Sequence, residues 1–394
     1  MSKNQPVAQR MQKINPFYVM DILAQARKLE SEGHDVIHLE VGEPDFDTPQ
    51  RVKDAAKQAI DADKTFYTQA TGLPELKQKI SNYYQQRLGT KLNAENIVLT
   101  PGASGALQLA LSVTVNPGQN VLMADPGYPC NRHFVRLLEA QAKVVNVGPE
   151  TQYQLTHELI DQNWDEHTAA VLIASPANPT GTIITSGEMQ KIIRVVRKHG
   201  GVLLVDEIYQ GLVYGADDFT VLAFIEDQWR DVFVINSFSK YFSMTGWRLG
   251  WLVVPDTYLA SVERLAQNLY LAPATVSQYA ALSAFDDENL AILDAQRDEL
   301  HRRRDFLFDG LTQLGFNIAV KPEGAFYIYA NIEKFSSDSF SFCEQLLEQA
   351  HVAITPGLDF GDYHPQFHVR FAYTQSIGRL SEALERIRVF LQQV

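Results

Sequence analysis

The amino-acid sequence predicts an α/β fold that has a mostly parallel central sheet and a second, smaller α+β domain. Short continuous apolar runs alternate with segments of helical period. Such runs are typical of strands that are buried on both faces, as in a parallel sheet. The alternation of apolar runs and helical segments ends near residue 286. The length of 394 residues also exceeds what one hydrophobic core usually supports, which favours a second domain.

The predicted central strands are residues 96–99, 120–124, 169–175, 202–205, 232–236 and 249–254. Between them, residues 105–115 form an apolar face at helical spacing, and residues 185–198 also predict a helix. The second segment begins with Thr185 and Ser186 and ends in basic residues before Gly200. These are the capping and dipole preferences of a helix. The alternation predicts a large domain over residues 48–285.

The remaining residues predict a smaller domain built from residues 1–47 and 286–394. Residues 288–314 carry charges throughout at helical spacing and predict one long connecting helix. The further elements expected there are strands at 325–330 and 368–373 and amphipathic helices at 340–349 and 381–391. The polar, helix-leaning segment before Phe46 is assigned to the same domain.

Composition and charge exclude several classes of protein. With 45% apolar and 21% charged residues the chain is globular, and a net charge of −13 argues against a nucleic-acid binder. Cys130 and Cys343 lie in no ligand pattern, so we expect neither a disulfide framework nor a metal site. No long apolar run follows Met1 or occurs later. We therefore expect a cytoplasmic protein that does not bind membranes.

Ligands of an open parallel sheet bind beyond the carboxyl ends of its strands, so the residues that follow each strand are candidates. Residues 101–105, Pro-Gly-Ala-Ser-Gly, lead from a strand into a helix and suit a phosphate, although a plain turn has the same composition. Residues 125–129, Asp-Pro-Gly-Tyr-Pro, form a rigid turn that could hold the ring of Tyr128 against a flat ligand. The alternative is a tyrosine that fills the core.

Two further strand ends present polar groups. Residues 175–181, Ser-Pro-Ala-Asn-Pro-Thr-Gly, present the amide of Asn178 between two prolines, or else form a stiff loop. The strand at 202–205 leads to Asp206 and Tyr209. A carboxylate in a closed site requires a cationic partner, and a protonated ring nitrogen would serve. The alternative for Asp206 is to cap the following segment.

The strand at 232–236 leads to Ser237 and Lys240, and Arg248 follows within Gly-Trp-Arg-Leu-Gly. A lysine among apolar and aromatic neighbours can have a lowered pKa, which makes its amine nucleophilic enough to form a Schiff base. A solvated surface lysine is the alternative. The hydroxyl groups of Ser237 and Ser239 and the guanidinium of Arg248 suit a phosphate.

Together these motifs resemble those of the fold-type I pyridoxal-phosphate enzymes of the aspartate aminotransferase superfamily, specifically the class I and II aminotransferases. The similarity extends from Val-Gly-Glu-Pro-Asp-Phe at residues 41–46 to Arg370. It implies an enzyme that uses pyridoxal 5'-phosphate to move an amino group between an amino acid and a 2-oxo acid.

The resemblance also implies a role for each candidate. Lys240 would form the Schiff base with the cofactor and move protons, Asp206 would pair with its pyridine nitrogen, and Tyr209 and Asn178 would bind its ring 3-oxygen. Tyr128 would stack on the ring. The implied phosphate ligands are Ala103, Ser104, Ser237 and Arg248, completed by Tyr67 of the partner subunit. The implied active unit is a homodimer with shared active sites.

The resemblance assigns the substrate α-carboxylate to Arg370, with Gly42 and Asn178 beside it, although an arginine in an apolar strand could instead close a structural ion pair. Some relatives that accept dicarboxylic acids carry a lysine at the position of Ser104. We therefore expect a neutral or aromatic substrate side chain. Phe17 and Tyr18 are candidates to line its pocket, and the alternative for both is a simple packing role.

The sequence leaves two alternatives to an aminotransferase open. A carbon–sulfur β-lyase of the same fold would also remove the α-proton, but it would need no 2-oxo acid. A non-catalytic pyridoxal-phosphate module inside a regulator would need a DNA-binding domain, for which the chain has no spare segment.

Overall fold

The structure, a computed structural model, describes residues 7–215, 218–225 and 231–393. Its strands in chain order are β1 (Ile37–His38), β2 (Ile97–Thr100), β3 (Asn120–Asp125), β4 (Gln141–Asn146), β5 (Thr168–Ala174), β6 (Val202–Asp206), β7 (Val232–Ser237), β8 (Gly250–Val253), β9 (Tyr327–Asn331), β10 (Val352–Ala353), β11 (Thr355–Pro356) and β12 (His368–Ala372).

The α-helices are α1 (Tyr18–Ser31), α2 (Gln50–Asp61), α3 (Pro74–Leu88), α4 (Gly102–Thr114), α5 (Pro129–Leu137), α6 (His157–Asn163), α7 (Ser186–Lys198), α8 (Leu259–Leu269), α9 (Thr275–Leu282), α10 (Asp287–Gln313), α11 (Ser339–Ala350) and α12 (Ile377–Leu391). The predicted cap of α7 forms, because the Thr185 hydroxyl accepts the backbone N–H of Glu188 at 3.3 Å. Over the described residues, no helix combines the length and the apolar character needed to cross a bilayer.

The central sheet has the strand order β2-β8-β7-β6-β5-β3-β4. The pairs from β7 to β4 are parallel, whereas β8 is antiparallel to both β2 and β7. The chain between β7 and β8 contains no α-helix, so it turns back instead of crossing over. The predicted α/β class with a mostly parallel sheet is confirmed.

Both faces of this sheet are buried. In β6, Leu203 and Val205 belong to one hydrophobic cluster, while Val202 and Leu204 belong to the other. Helix α4 packs on β7 and β8, and α7 packs on β6. Because every side chain of β6 meets apolar neighbours, the strand has a continuous apolar sequence instead of an alternating one.

The other strands form two smaller sheets. Strands β11, β12 and β9 are antiparallel, and β1 pairs in parallel with β10. Helix α1 packs against α11 and β11, and α12 packs against α10 and α11. The helix predicted at 288–314 is α10. The domain boundaries at residues 48 and 286 stay a prediction.

Candidate active site

A cavity of about 380 Å³ lies at the carboxyl ends of the central strands, a volume in the range of small-molecule sites. The predicted site residues that line it are Gly42, Ala103, Ser104, Tyr128, Asn178, Asp206, Tyr209, Ser237, Lys240, Arg248 and Arg370. The structure therefore brings together side chains from segments that are far apart in sequence.

Lys240 follows β7 after two residues, and its Nζ donates a hydrogen bond to the carbonyl oxygen of Gly42. The rings of Tyr209 and Phe326 lie 5.8 Å and 5.5 Å from this nitrogen. Burial lowers the pKa of Lys240 to about 8, and the positive charge of Arg370 contributes in the same direction. At neutral pH the amine therefore has a larger neutral, nucleophilic fraction than an exposed lysine.

Asp206 ends β6 and is 5% exposed. Burial raises the pKa of this carboxyl to about 6, although the N–H of Ile208 donates to it at 3.1 Å and the charge of Lys240 lies nearby. The protein alone thus stabilises the ionised form poorly. A cationic group bound beside Asp206 would restore a normal carboxylate.

The loops that follow β3, β5 and β6 supply further polar and aromatic groups, namely Tyr128, Asn178 and Tyr209. The hydroxyl oxygen of Tyr209 lies 2.8 Å from that of Tyr327. The side-chain oxygen of Asn178 accepts a hydrogen bond from Arg370 at 2.9 Å. Tyr128 lies edge-on to Phe17, with ring centroids 6.5 Å apart.

A candidate anion site lies where α4 begins, with Ala103 and Ser104 in its first turn. The first backbone N–H groups of a helix have no intrahelical acceptors, so they are available to a phosphate. A Cβ on Gly102 would lie 2.7 Å from the Arg248 guanidinium, so glycine allows that cation to approach the helix. The Ser237 hydroxyl lies 3.0 Å from that of Ser239 on the same wall.

Arg370 lies on β12 and is 5% exposed. Besides Asn178, its guanidinium donates to the carbonyl oxygen of Glu40 at 2.6 Å and to the Thr355 hydroxyl at 3.2 Å. These acceptors are neutral, so they form no structural ion pair. Its Nε is buried without a hydrogen-bond partner. A buried guanidinium held by neutral groups fits a carboxylate ligand.

Some residues of the cavity wall had no distinguishing signal in the sequence. Tyr327 looks like an ordinary core residue of a strand. Glu40 is completely buried, with its carboxylate 2.7 Å from the ring of His38. That hydrogen bond raises the pKa of His38 to about 9. The other apolar residues missed by the sequence analysis are Val19, Met20, Leu23, Leu107, Ala174 and Ile208.

Two expected residues lie elsewhere. Tyr67 is 80% exposed and outside the cavity of this chain. Phe17 lines the cavity as expected, but Tyr18 does not, because its ring packs on Phe340 with centroids 5.5 Å apart. The Tyr18 N–H donates to Asp359 at 2.8 Å, which fixes this orientation at the start of α1.

Residues 34–387 match the family model described as aminotransferase class I and II. The chain belongs to the class I and II aminotransferases. Members of this family use pyridoxal phosphate. The cavity fits that cofactor, since it offers a lysine with a lowered pKa, a buried carboxylate with a raised pKa, and a helix N-terminus beside the Arg248 guanidinium.

Curated relatives and solved structures agree with this assignment. The chain is 38% identical over 379 residues to the valine--pyruvate aminotransferase of Mycobacterium tuberculosis, covering 96% of this chain and 97% of that protein. It is 36% identical to the (5-formylfuran-3-yl)methyl phosphate transaminase of Methanocaldococcus jannaschii, covering 98% and 100%. The aspartate aminotransferase of Thermus thermophilus with maleate superposes with a TM-score of 0.91 at 30% identity, covering 98% and 100%. This class I and II aminotransferase is therefore a fold-type I enzyme that transfers amino groups.

Proposed function

We propose that this aminotransferase moves the amino group of a neutral or aromatic L-amino acid to a 2-oxo acid, by way of a Schiff base between Lys240 and pyridoxal phosphate. The observation that carries the substrate class is the chemistry of the cavity wall. On the side of α1 this wall consists of apolar side chains, namely those of Phe17, Val19, Met20 and Leu23.

The distribution of cations supports the same substrate class. Among the described residues that line the cavity, the lysine and arginine side chains are Lys240, Arg248 and Arg370. We assign them to the cofactor bond, the cofactor phosphate and the substrate α-carboxylate. The described residues of this chain therefore leave no cation for a second substrate carboxylate, whose desolvation they would not compensate. Ser104 occupies the position where a lysine would serve dicarboxylic substrates.

The names of the curated relatives point to more than one substrate class. The Mycobacterium tuberculosis protein, 38% identical to this chain, is named for valine, which has a neutral apolar side chain. Aspartate aminotransferases are also related, at 32% identity. The apolar wall and Ser104 therefore carry the distinction, and the names of relatives do not.

Arg370 binds the substrate α-carboxylate in this proposal. Asn178, Thr355 and the carbonyl oxygen of Glu40 hold two of its nitrogens, so the guanidinium is fixed before substrate arrives. Its buried Nε still has a hydrogen to donate. The backbone of Gly42 lines the same cavity, and a Cβ there would lie 2.5 Å from the hydroxyl oxygen of Tyr327, the residue whose ring lies against the Arg370 guanidinium.

Lys240 and Asp206 perform the proton chemistry. When bound, pyridoxal phosphate supplies a ring that withdraws electrons from the substrate α-carbon. Asp206 holds a proton on the ring nitrogen, which maintains that withdrawal. Once the substrate amino group has displaced it from the cofactor, the Nζ of Lys240, whose pKa is lowered by burial to about 8, would remove the α-proton as a neutral amine and deliver it to C4' of the cofactor.

The remaining residues hold the cofactor. Tyr209 and Asn178 bind its ring 3-oxygen and Tyr128 stacks on its ring. Its phosphate is bound by the N–H groups of Ala103 and Ser104 and by the side chains of Ser237 and Arg248. We propose a homodimer in which Tyr67 of the partner subunit completes this site. The 80% exposure of Tyr67 and the 81% exposure of Phe66 support a surface that a second copy covers.

A donor panel tests the substrate proposal. Purified holoenzyme is assayed with valine, leucine, phenylalanine, tryptophan, aspartate and glutamate, each with pyruvate or 2-oxoglutarate. We expect kcat/KM for the neutral or aromatic donors to exceed that for aspartate. A preference for aspartate would overturn the proposed substrate class. Thiol and pyruvate release from cysteine conjugates without an oxo acid would indicate the β-lyase instead.

A further inference from the structure

Tyr327 connects the two parts of the proposed site. It begins β9, is 1% exposed, and lines the cavity. Its hydroxyl oxygen lies 2.8 Å from that of Tyr209, and its ring lies 4.3 Å from the guanidinium carbon of Arg370. One side chain therefore contacts both the group assigned to the cofactor ring and the group assigned to the substrate carboxylate.

We propose that Tyr327 is a positioning residue: it donates its hydroxyl hydrogen to Tyr209, which leaves the hydrogen of Tyr209 for the ring 3-oxygen of the cofactor. This inference rests on the proposed role of Tyr209. Each phenol has a single hydrogen, and the contact between the two oxygens uses one of them. If Tyr209 donated to Tyr327, it would have none left for the cofactor.

The charges around the pair favour this direction. Burial raises the pKa of both hydroxyls. The guanidinium carbon of Arg370 lies 4.3 Å from the ring centroid of Tyr327, and this positive charge opposes the rise there. A positive charge beside a phenol makes its hydroxyl a better donor, which favours donation by Tyr327. A phenol that accepts a hydrogen bond also becomes a stronger donor, since hydrogen bonds in a chain polarise one another.

The position of the Tyr327 hydroxyl is closely restricted. A Cβ on Gly42 would lie 2.5 Å from its oxygen, so only glycine leaves room for it. The ring of Tyr327 also meets that of Tyr209 edge-on, with centroids 5.8 Å apart. These contacts leave the oxygen little freedom to turn away from Tyr209.

The test is a pH titration of the visible absorbance of the bound cofactor. A hydrogen bond donated to the ring 3-oxygen stabilises the deprotonated form of the bound cofactor. Loss of this hydrogen bond therefore raises the pH at the midpoint of the titration. For Tyr327→Phe we expect a rise of about 0.4 to 1 pH unit, as one hydrogen bond is typically worth. For Tyr209→Phe we expect a larger rise. Tyr327→Phe should have no further effect in the Tyr209→Phe background, because the two hydroxyls act in series.

Two controls separate this role from a structural one. Tyr329→Phe removes a hydroxyl from a buried tyrosine on the same strand that does not line the cavity, and it should not move the midpoint. Tyr327→Phe keeps the ring beside Arg370, so binding of 3-phenylpropionate, a carboxylate without an amino group, should change less than about twofold. A larger loss would mean that the hydroxyl acts through Arg370 and would overturn the inference.

The outcomes also separate this inference from the proposed function. An unchanged midpoint in Tyr209→Phe would refute the proposed contact of Tyr209 with the cofactor. A shift in Tyr209→Phe without one in Tyr327→Phe would refute only the role of Tyr327. Equal shifts from Tyr327→Phe in both backgrounds would also refute it, because they would show that Tyr327 does not act through Tyr209.

Discussion

Replacing Arg370 by lysine keeps the positive charge at the proposed carboxylate site but removes the planar fork. The arginine now donates to Asn178, Glu40 and Thr355 while its Nε remains free. An ammonium group has three donors on one atom, so it cannot keep these contacts and also bind a carboxylate in two places. For a pair buried to this extent the loss is about 2 to 4 kcal/mol in transition-state binding.

This loss corresponds to a fall in kcat/KM of about 30-fold to 900-fold. Because every amino donor has an α-carboxylate, the fall should be shared by apolar, aromatic and acidic donors in steady-state assays. Arg304→Lys is the matched control: Arg304 is also 5% exposed, donates to the carbonyl oxygen of Pro322 at 2.6 Å and stacks on Tyr214, but it does not line the cavity. A penalty for Arg370→Lys on one donor alone, or one no larger than that of Arg304→Lys, would refute the assignment.

Three other changes have expected outcomes. Asp206→Ala should retain cofactor but slow the half-reaction with amino acid at least ~100-fold in stopped-flow measurements, because the ring nitrogen loses its proton; near-normal turnover would make Asp206 structural. Ser104→Lys should improve aspartate and glutamate relative to apolar donors in kcat/KM, and an unchanged donor ranking would count against the proposed side-chain pocket. The folded-state pKa of His38 is raised to about 9 by Glu40, so its contribution to stability is complete below pH 6.5 and is lost as pH rises through about 9. The melting temperature should therefore fall less over that range in His38→Gln than in the unmodified protein, and parallel curves would contradict the role of His38.

The sequence predicted the central strands well because their signal is local. The run from Val202 to Val205 is apolar on both faces, and no surface helix or loop requires that composition. Strand β4, Gln141–Asn146, was missed because it lies at the sheet edge and is mostly half-exposed, so its residues are mixed. The antiparallel direction of β8 was also not predictable, since an apolar run has no information on strand direction.

The sequence predicted those residues of the site that lie at or just after the end of a central strand. Asp206, Ser237 and Lys240 lie there, and the topology then brings them to one edge of the sheet. Tyr327 comes from the smaller antiparallel sheet, where a buried tyrosine has no feature that separates it from the core. Tyr18 was expected in the pocket, but its ring packs on Phe340 instead, with centroids 5.5 Å apart.

The central claim is that Lys240 carries the cofactor, and borohydride reduction followed by peptide mass spectrometry tests it most directly. The purified protein should be yellow, and reduction should leave one phosphopyridoxyl group on the peptide that contains Lys240. Lys240→Ala should lose both the visible absorbance band and the adduct, while Lys77→Ala, which changes another buried lysine outside the cavity, should keep both. An unmodified Lys240 in fully active, reduced protein would contradict the account.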